Sequence, residues 1–251
     1  MHTIALISNK RGIGKTVAAV NLAHALAAKG RRVMLLDMDP GAALAKAIGL
    51  FRAPGSGAAQ VLLEGKSLDS VAVSTRELLS VVPTGEELER VDALTGGMGE
   101  GLRLFESLQA DPPDVDYLVI DGPSSAGLLF ANAVLAADLL LTPVLANEID
   151  GKSVLSLFAI LQRFDAMRGR PAIIKAFLNR TVGRGLAAKP VHDELKEILG
   201  SQLLDVVVPD AEVVPQCSAM GRTLLEFRPQ SGASRAFEVM AKEVAGLLDD
   251  K

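Results

Sequence analysis

Seven short apolar runs recur along the chain, at residues 3–8, 33–37, 78–82, 117–121, 139–143, 173–178 and 204–208. They are rich in Val, Ile and Leu and lack polar alternation, the pattern of strands buried on both faces. Ala- and Leu-rich segments of helical length lie between several of them, at 17–29, 127–136, 154–167 and 189–199, and a last amphipathic stretch covers 234–248. Strands alternating with helices predict an α/β fold: a twisted, mostly parallel sheet of seven or eight strands, with helices on both faces. No internal repeat or dividing linker interrupts the pattern, so residues 1–251 are expected to form one domain, a size that buries a substantial core. The glycine-rich stretch 96–101 is the loosest in the chain and is expected to be a loop.

Composition narrows the chemistry. With 49% hydrophobic and 22% charged residues the chain is globular, not disordered. A single cysteine, Cys217, excludes an internal disulfide, a CxxC zinc site and an iron–sulfur cluster held by cysteines of one chain. His2, His24 and His192 are too scattered to suggest a histidine-built metal site. Aromatic residues make up only 4%, which argues against base stacking on single-stranded nucleic acid. The beginning of the chain has no signal-peptide pattern, and no apolar stretch reaches about 18 residues, so a cytoplasmic protein is expected. Residues 151–235 hold 12 Lys/Arg against 8 Asp/Glu, and the remainder holds 14 against 22. This asymmetry fits either a basic face on an acidic body or chance variation over a solvated surface.

In open parallel sheets, ligands gather at the carboxyl ends of the strands. After the first strand comes Asn9-Lys10-Arg11-Gly12-Ile13-Gly14-Lys15-Thr16, followed by an Ala-rich helix. Glycines let backbone N–H groups turn inward around phosphate oxygens, and the helix N-terminus adds its positive end. Lys15 is spaced to reach β- and γ-phosphates, and the Thr16 hydroxyl to ligate Mg²⁺. Asn9 stands where GxxxxGK[ST] begins with glycine, so the pattern is K-x-G-x-G-K-T, with an extra lysine five residues before the phosphate-loop lysine.

Three acids lie at other strand ends. Asp37 and Asp39 occur in LLDMDP, two apart and therefore able to share a face. Asp121 ends the strand in YLVIDGP, where a carboxylate is the expected water-mediated partner of Mg²⁺ in a phosphate-loop nucleotidase.

The doubled lysine, LLDMDP and VIDGPSS together resemble the ParA/MinD family of deviant Walker A ATPases. The likeness runs through ADLLLTPVLANEIDG at 137–151, FLNRTVGRG at 177–185 and VVVPDAEVVPQCSAMGRTLLEFRP at 206–229. In appearance the chain is most similar to small ParA-type partition or positioning ATPases. The resemblance implies a dimer that sandwiches two ATP molecules, with Lys10 of each subunit crossing to the other's phosphates. It gives Lys15 and the loop from Arg11 to Val17 (with Gly12, Ile13 and Gly14) to the triphosphate. Mg²⁺ and its waters fall to Thr16, Asp37 and Asp121, and the attacking water to Asp39. Asn179, Pro209 and Asp210 fall on the adenine side.

The implied function is an ATP-driven dimerisation switch with slow hydrolysis. It would serve DNA segregation or cargo positioning through non-specific DNA binding, with release by a ParB-like or other cargo-linked partner and an expected place at the nucleoid. Arg180, Arg184, Lys189 and Arg222 are candidate DNA contacts, with Arg228 and Arg235 further options; phosphate contacts of this kind are salt-sensitive and sequence-independent.

Three positions depart from the family pattern: Arg11 for a glycine, Val17 for a hydroxyl residue and Gly41 for a glutamine. A MinD-like membrane- or partner-anchored positioning ATPase is an alternative, and direct anchoring would need a basic amphipathic helix near the C-terminus. The segment EVMAKEVAGLLDDK finishes acidic and predicts a docked helix instead. An ATP-dependent ligase of the same broad group is the remaining alternative, disfavoured by Lys10.

Overall fold

All seven apolar runs are strands, and an eighth joins them, in the computed structural model, which describes residues 1–52, 54–95, 97–145, 151–181 and 189–249. In chain order the strands are β1 (His2–Leu6), β2 (Val33–Asp37), β3 (Val73–Arg76), β4 (Leu79–Val82), β5 (Tyr117–Asp121), β6 (Leu139–Leu145), β7 (Ile173–Thr181) and β8 (Leu203–Pro209). They form one sheet in the order β3-β4-β2-β5-β1-β6-β7-β8. Every pairing is parallel except β3 with β4. The strand that the apolar pattern does not mark, β3, reads Val-Ser-Thr-Arg, is only partly buried and sits at the sheet edge, so it carries no apolar run.

Alternate side chains of each central strand enter different cores. Ile4, Leu6, Val33, Leu35, Val119, Leu139 and Leu141 pack with the first helix, α1 (Lys15–Ala27), and the last, Gly232–Asp249. Ala5, Met34, Leu36, Leu118, Ile120, Leu140 and Ile174 pack with helices Ala58–Glu64, Arg103–Ala110, Leu128–Ala136, Gly151–Arg163 and Lys189–Leu199. This is the two-faced burial that apolar strands without alternation require.

Glycines 97–101 do not form the expected loop. Gly97–Leu102 is a 3-10 helix against Leu128–Ala136, where a Cβ on Gly101 would lie 3.1 Å from Ala131 Cβ. Asn132 fixes the contact, donating to the Glu100 carbonyl at 2.8 Å and accepting from the Leu104 N–H at 2.9 Å. Small residues here permit close packing, which composition alone reads as looseness.

The last helix buries Ala236, Phe237, Met240, Ala241, Val244 and Leu248 in the core. Its apolar face is consumed by the fold. Among the described residues no helix is long and apolar enough to cross a membrane.

Candidate nucleotide-binding site

The segment after β1 turns through Gly12 (φ 71°) and Gly14 (φ 94°) before α1 begins at Lys15. Both values lie where glycine is at ease and other residues are not. Gly14 is confined as well: a Cβ there would sit 2.6 Å from Asn179 Nδ2. No acidic residue occupies the first turn of α1, and its N-terminal N–H groups border a cavity of about 490 Å³. Arg11, Gly12, Ile13, Gly14, Lys15, Thr16 and Val17 line this space on one side, and Asp39, Pro40, Gly41, Ser124 and Ser125 on the other. A helix start with its N–H groups at a cavity, beside a lysine, has the chemistry to hold an anion.

Lys15 is 5% exposed, and its Nζ donates to Ser124 Oγ at 2.6 Å. Burial lowers its pKa, opposed by Asp121 and Asp39. Ser124 in turn donates to Asp39 Oδ2 at 3.3 Å, while the other Asp39 oxygen accepts the Gly41 N–H at 2.9 Å. Asp39 therefore lies in the turn beyond β2, partly exposed, at the wall of this cavity. Ser124 lies in the VIDGPSS motif, but the sequence gives it no role of its own.

Asp37 and Asp121 are directly opposite each other in the parallel pairing of β2 with β5. Both are buried, at 0% and 1% exposure. Asp37 Oδ1 accepts the Asp39 N–H at 3.1 Å, whereas Asp37 Oδ2 and both Asp121 oxygens have no partner in full hydrogen-bond geometry, the Thr16 hydroxyl only neighbouring Asp121. Two carboxylates buried side by side cannot both ionise cheaply. Burial and the neighbouring acid hold Asp37 well above the usual carboxylate range. Burial pushes Asp121 up to about 7, tempered by the Thr16 hydroxyl and the Lys15 ammonium beside it, while Asp39 reinforces the rise. Orphaned acceptors at this depth suit a hydrated divalent cation, which would restore both ionised forms.

A second cavity, of about 320 Å³, adjoins the first through Gly12, Gly14 and Val17. Its walls include Asn179, Arg180, Pro209, Asp210, Val214 and Phe237. The wall from Val214 to Leu224 is tied to α1 by two polar contacts. Asn21 accepts the Leu224 N–H at 2.8 Å, and His24 Nδ1 lies 2.7 Å from Thr223 Oγ1. Burial lowers the His24 pKa, suiting a neutral ring in this packed contact. Asn179, Pro209 and Asp210 thus meet at one cavity, although Asn179 already spends its amide on the Ile13 carbonyl at 2.9 Å.

Lys10 borders neither cavity. It lines a smaller space of about 30 Å³ with Thr142–Leu145 on β6 and Ser153, Val154 and Leu157 on the helix that follows. The candidate DNA contacts are dispersed over the fold. Arg180 ends β7 and faces the second cavity, Lys189 begins a helix, and Arg222 is exposed in the turn before Thr223. Arg228 and Arg235 are exposed near the start of the last helix, and Arg184 lies outside the described residues.

A central parallel sheet, a glycine loop running into α1, a buried lysine and two strand-end carboxylates define a phosphate-loop nucleotide-binding protein of ParA type. A family model described as an AAA domain (AAA_31) matches residues 1–170, and the chain belongs to that family. It is 29% identical over 253 residues to the chromosome-partitioning ATPase Soj of Thermus thermophilus, covering 100% of this chain and 98% of that one. It is 28% identical over 255 residues to the sporulation initiation inhibitor protein Soj of Bacillus subtilis, covering 96% and 97%. Among solved structures the fold matches a Cyanothece McdA–ATP complex with a TM-score of 0.83, at 21% identity over 98% of this chain and 96% of that one. It matches the Mg-ADP complex of the septum site-determining protein MinD from Pyrococcus horikoshii with a TM-score of 0.79, at 23% identity over 98% and 96%. A cobyrinic acid a,c-diamide synthase from Mycobacterium smegmatis, with bound ADP and magnesium, shares the fold at a TM-score of 0.82, at 21% identity over 100% and 96%.

Proposed function

We propose that this protein is an ATP-driven dimerisation switch that hydrolyses ATP slowly and serves DNA segregation or the intracellular positioning of a cargo, such as a plasmid, a chromosome or a protein assembly. One observation carries the reading: of the two signature lysines, Lys15 is buried at the phosphate cavity and Lys10 lies outside it. A cation that does not serve its own chain's phosphate site suits action on a second copy's. There it would stabilise charge at the transferring phosphoryl group as an arginine finger does.

In this reading Lys15 and the N–H groups from Gly12 to Thr16 bind the triphosphate. Arg11 and Val17 border the same cavity, Arg11 as an additional cation and Val17 through its backbone. Thr16 holds Mg²⁺, with Asp37 and Asp121 holding its waters; the ion supplies positive charge to the β- and γ-phosphates. Asp39, hydrogen-bonded to Ser124 and partly exposed at the cavity, positions the attacking water. The base lies in the second cavity, against Asn179, Pro209 and Asp210.

The ATP-bound dimer binds DNA non-specifically through exposed cations, among them Lys189 and Arg222, with Arg184 a further candidate. A ParB-like or other cargo-linked protein stimulates its release. The protein is cytoplasmic and associated with the nucleoid. A directly membrane-anchored role draws no support from the last helix, whose apolar face is already buried.

The test is binding of a fluorescent random-sequence duplex with Mg·ATP, with Mg·ADP and without nucleotide, at low and moderate salt. Binding that requires ATP and weakens steeply with salt is expected. Absence of DNA binding in every state, with nucleotide binding verified, would refute nucleoid-based positioning.

A further inference from the structure

β7 ends irregularly at the nucleotide site. Leu178 pairs with Val207 and Thr181 with Pro209, so three steps along β7 meet two along β8. The extra residue falls at Asn179–Arg180, and Arg180 takes a φ of 53°, a left-handed conformation rare for a long side chain. In an unbroken strand, successive side chains leave on opposite faces. A bulge re-aims them.

Here both side chains reach the phosphate loop. Asn179 Nδ2 donates to the Ile13 carbonyl at 2.9 Å, and Arg180 Nη1 reaches the Gly12 carbonyl at 3.4 Å. A trans peptide unit points its C=O and N–H in opposite directions. Drawing the carbonyls of Gly12 and Ile13 toward β7 therefore turns the N–H groups of Ile13 and Gly14 away from it, on the side where the loop borders the phosphate cavity. Arg180 is itself held from the other direction: its Nε donates to Asp210 Oδ1 at 3.0 Å, and the Asp210 N–H donates to the Thr181 carbonyl at 3.0 Å. Arg180 and Asp210 both line the second cavity.

We propose that Arg180 is a positioning residue for the phosphate loop, anchored by Asp210, so that the wall of the second cavity and the loop N–H groups move as one unit. The proposal rests on the nucleotide reading of the site. It moves Arg180 from the candidate DNA surface to the nucleotide machinery, and it accounts for a left-handed arginine beside a ligand cavity, where strained backbone is retained for function.

The experiment measures Mg·ATP affinity by calorimetry on the full chain and on Arg180→Ala, Arg180→Lys, Asp210→Ala and the Arg180→Ala/Asp210→Ala double variant. Duplex DNA affinity at saturating ATP is measured in parallel. Asp210→Ala leaves the strained backbone at position 180 untouched and serves if Arg180→Ala fails to fold. Each alanine variant is expected to weaken Mg·ATP about five- to tenfold, the size of a half-exposed ion pair with one added hydrogen bond. The double variant should be no weaker than the worse single one, because the two residues act through one contact. Arg180→Lys should recover part of the loss, and DNA affinity at saturation should not change. Wild-type ATP affinity in both single variants, additive losses, or a loss of DNA binding alone would overturn the proposal. Failure of the wild-type chain to bind nucleotide would remove the nucleotide reading, and the brace with it.

Discussion

Replacing Asp121 by Asn tests the electrostatics of the site without touching a surface. Asp121 is buried, both its oxygens lack partners in full hydrogen-bond geometry, and its pKa is raised from 3.8 to about 7. A carboxyl raised in the folded state keeps its proton there after the unfolded chain has lost it, so stability is lost as pH rises from about 4 through about 7. For a rise of this size the loss between pH 5 and pH 8 is on the order of 2–3 kcal/mol for the Asp121–Asp37 pair's first proton. Asn copies the protonated carboxyl in shape and carries no charge at either pH. The variant's stability should therefore fall less over the same interval, by about that amount, in urea unfolding of the nucleotide- and metal-free protein. Comparing the two pH values within each protein cancels any packing cost of the amide. Asp37 stays elevated by burial in both proteins, so some pH dependence should persist in the variant. Equal falls in stability, or a steeper fall in Asp121→Asn, would refute the reasoning that Asp121 is a proton-holding carboxyl awaiting a cation.

Other perturbations follow from the same geometry. Lys15→Ala removes the buried ammonium beside Ser124 and should abolish Mg·ATP binding in calorimetry; normal affinity would sink the phosphate-site assignment. Asp39→Ala should trap an ATP-bound dimer, seen by light scattering as a doubled mass that persists with ATP, because binding survives while the water is no longer positioned. A variant that stays monomeric while binding nucleotide would count against the sandwich. Where Gly49 and Gly221 cross, a Cβ on Gly221 would lie 2.2 Å from Gly49 Cα, and Gly221 already has φ 62°. Gly221→Ala should cost on the order of 2–4 kcal/mol of stability, a range set by overpacking against backbone plus a left-handed alanine. A melting temperature unchanged from wild type would contradict that crossing.

Much of this molecule is legible in its amino-acid order alone. Both-face burial forces a strand to be apolar at every position, and that requirement marks seven of the eight strands. The phosphate loop is equally plain, because glycine at positive φ, a lysine and a hydroxyl residue must follow one another in the chain to cradle a phosphate. Asp37 and Asp121 are visible because strand ends in a parallel sheet point at one edge.

The remainder is set by pairing across the sheet. β3 is polar and half-covered, and only its antiparallel partner β4 makes it a strand. Ser124 acquires a role only where β5 brings it against Lys15, and Gly101 reads as packing rather than looseness only where it meets Ala131 of the neighbouring helix. Arg180 is the sharpest case. A basic residue in a terminal loop reads as a solvent-facing cation, and nothing local distinguishes it from Arg222. A one-residue mismatch between β7 and β8 at Asn179–Arg180, a property of two strands distant from the phosphate loop in sequence, turns it toward Gly12 and Asp210 while it stays half exposed. Local chemistry is written in neighbouring residues, whereas register between strands is fixed by the whole sheet.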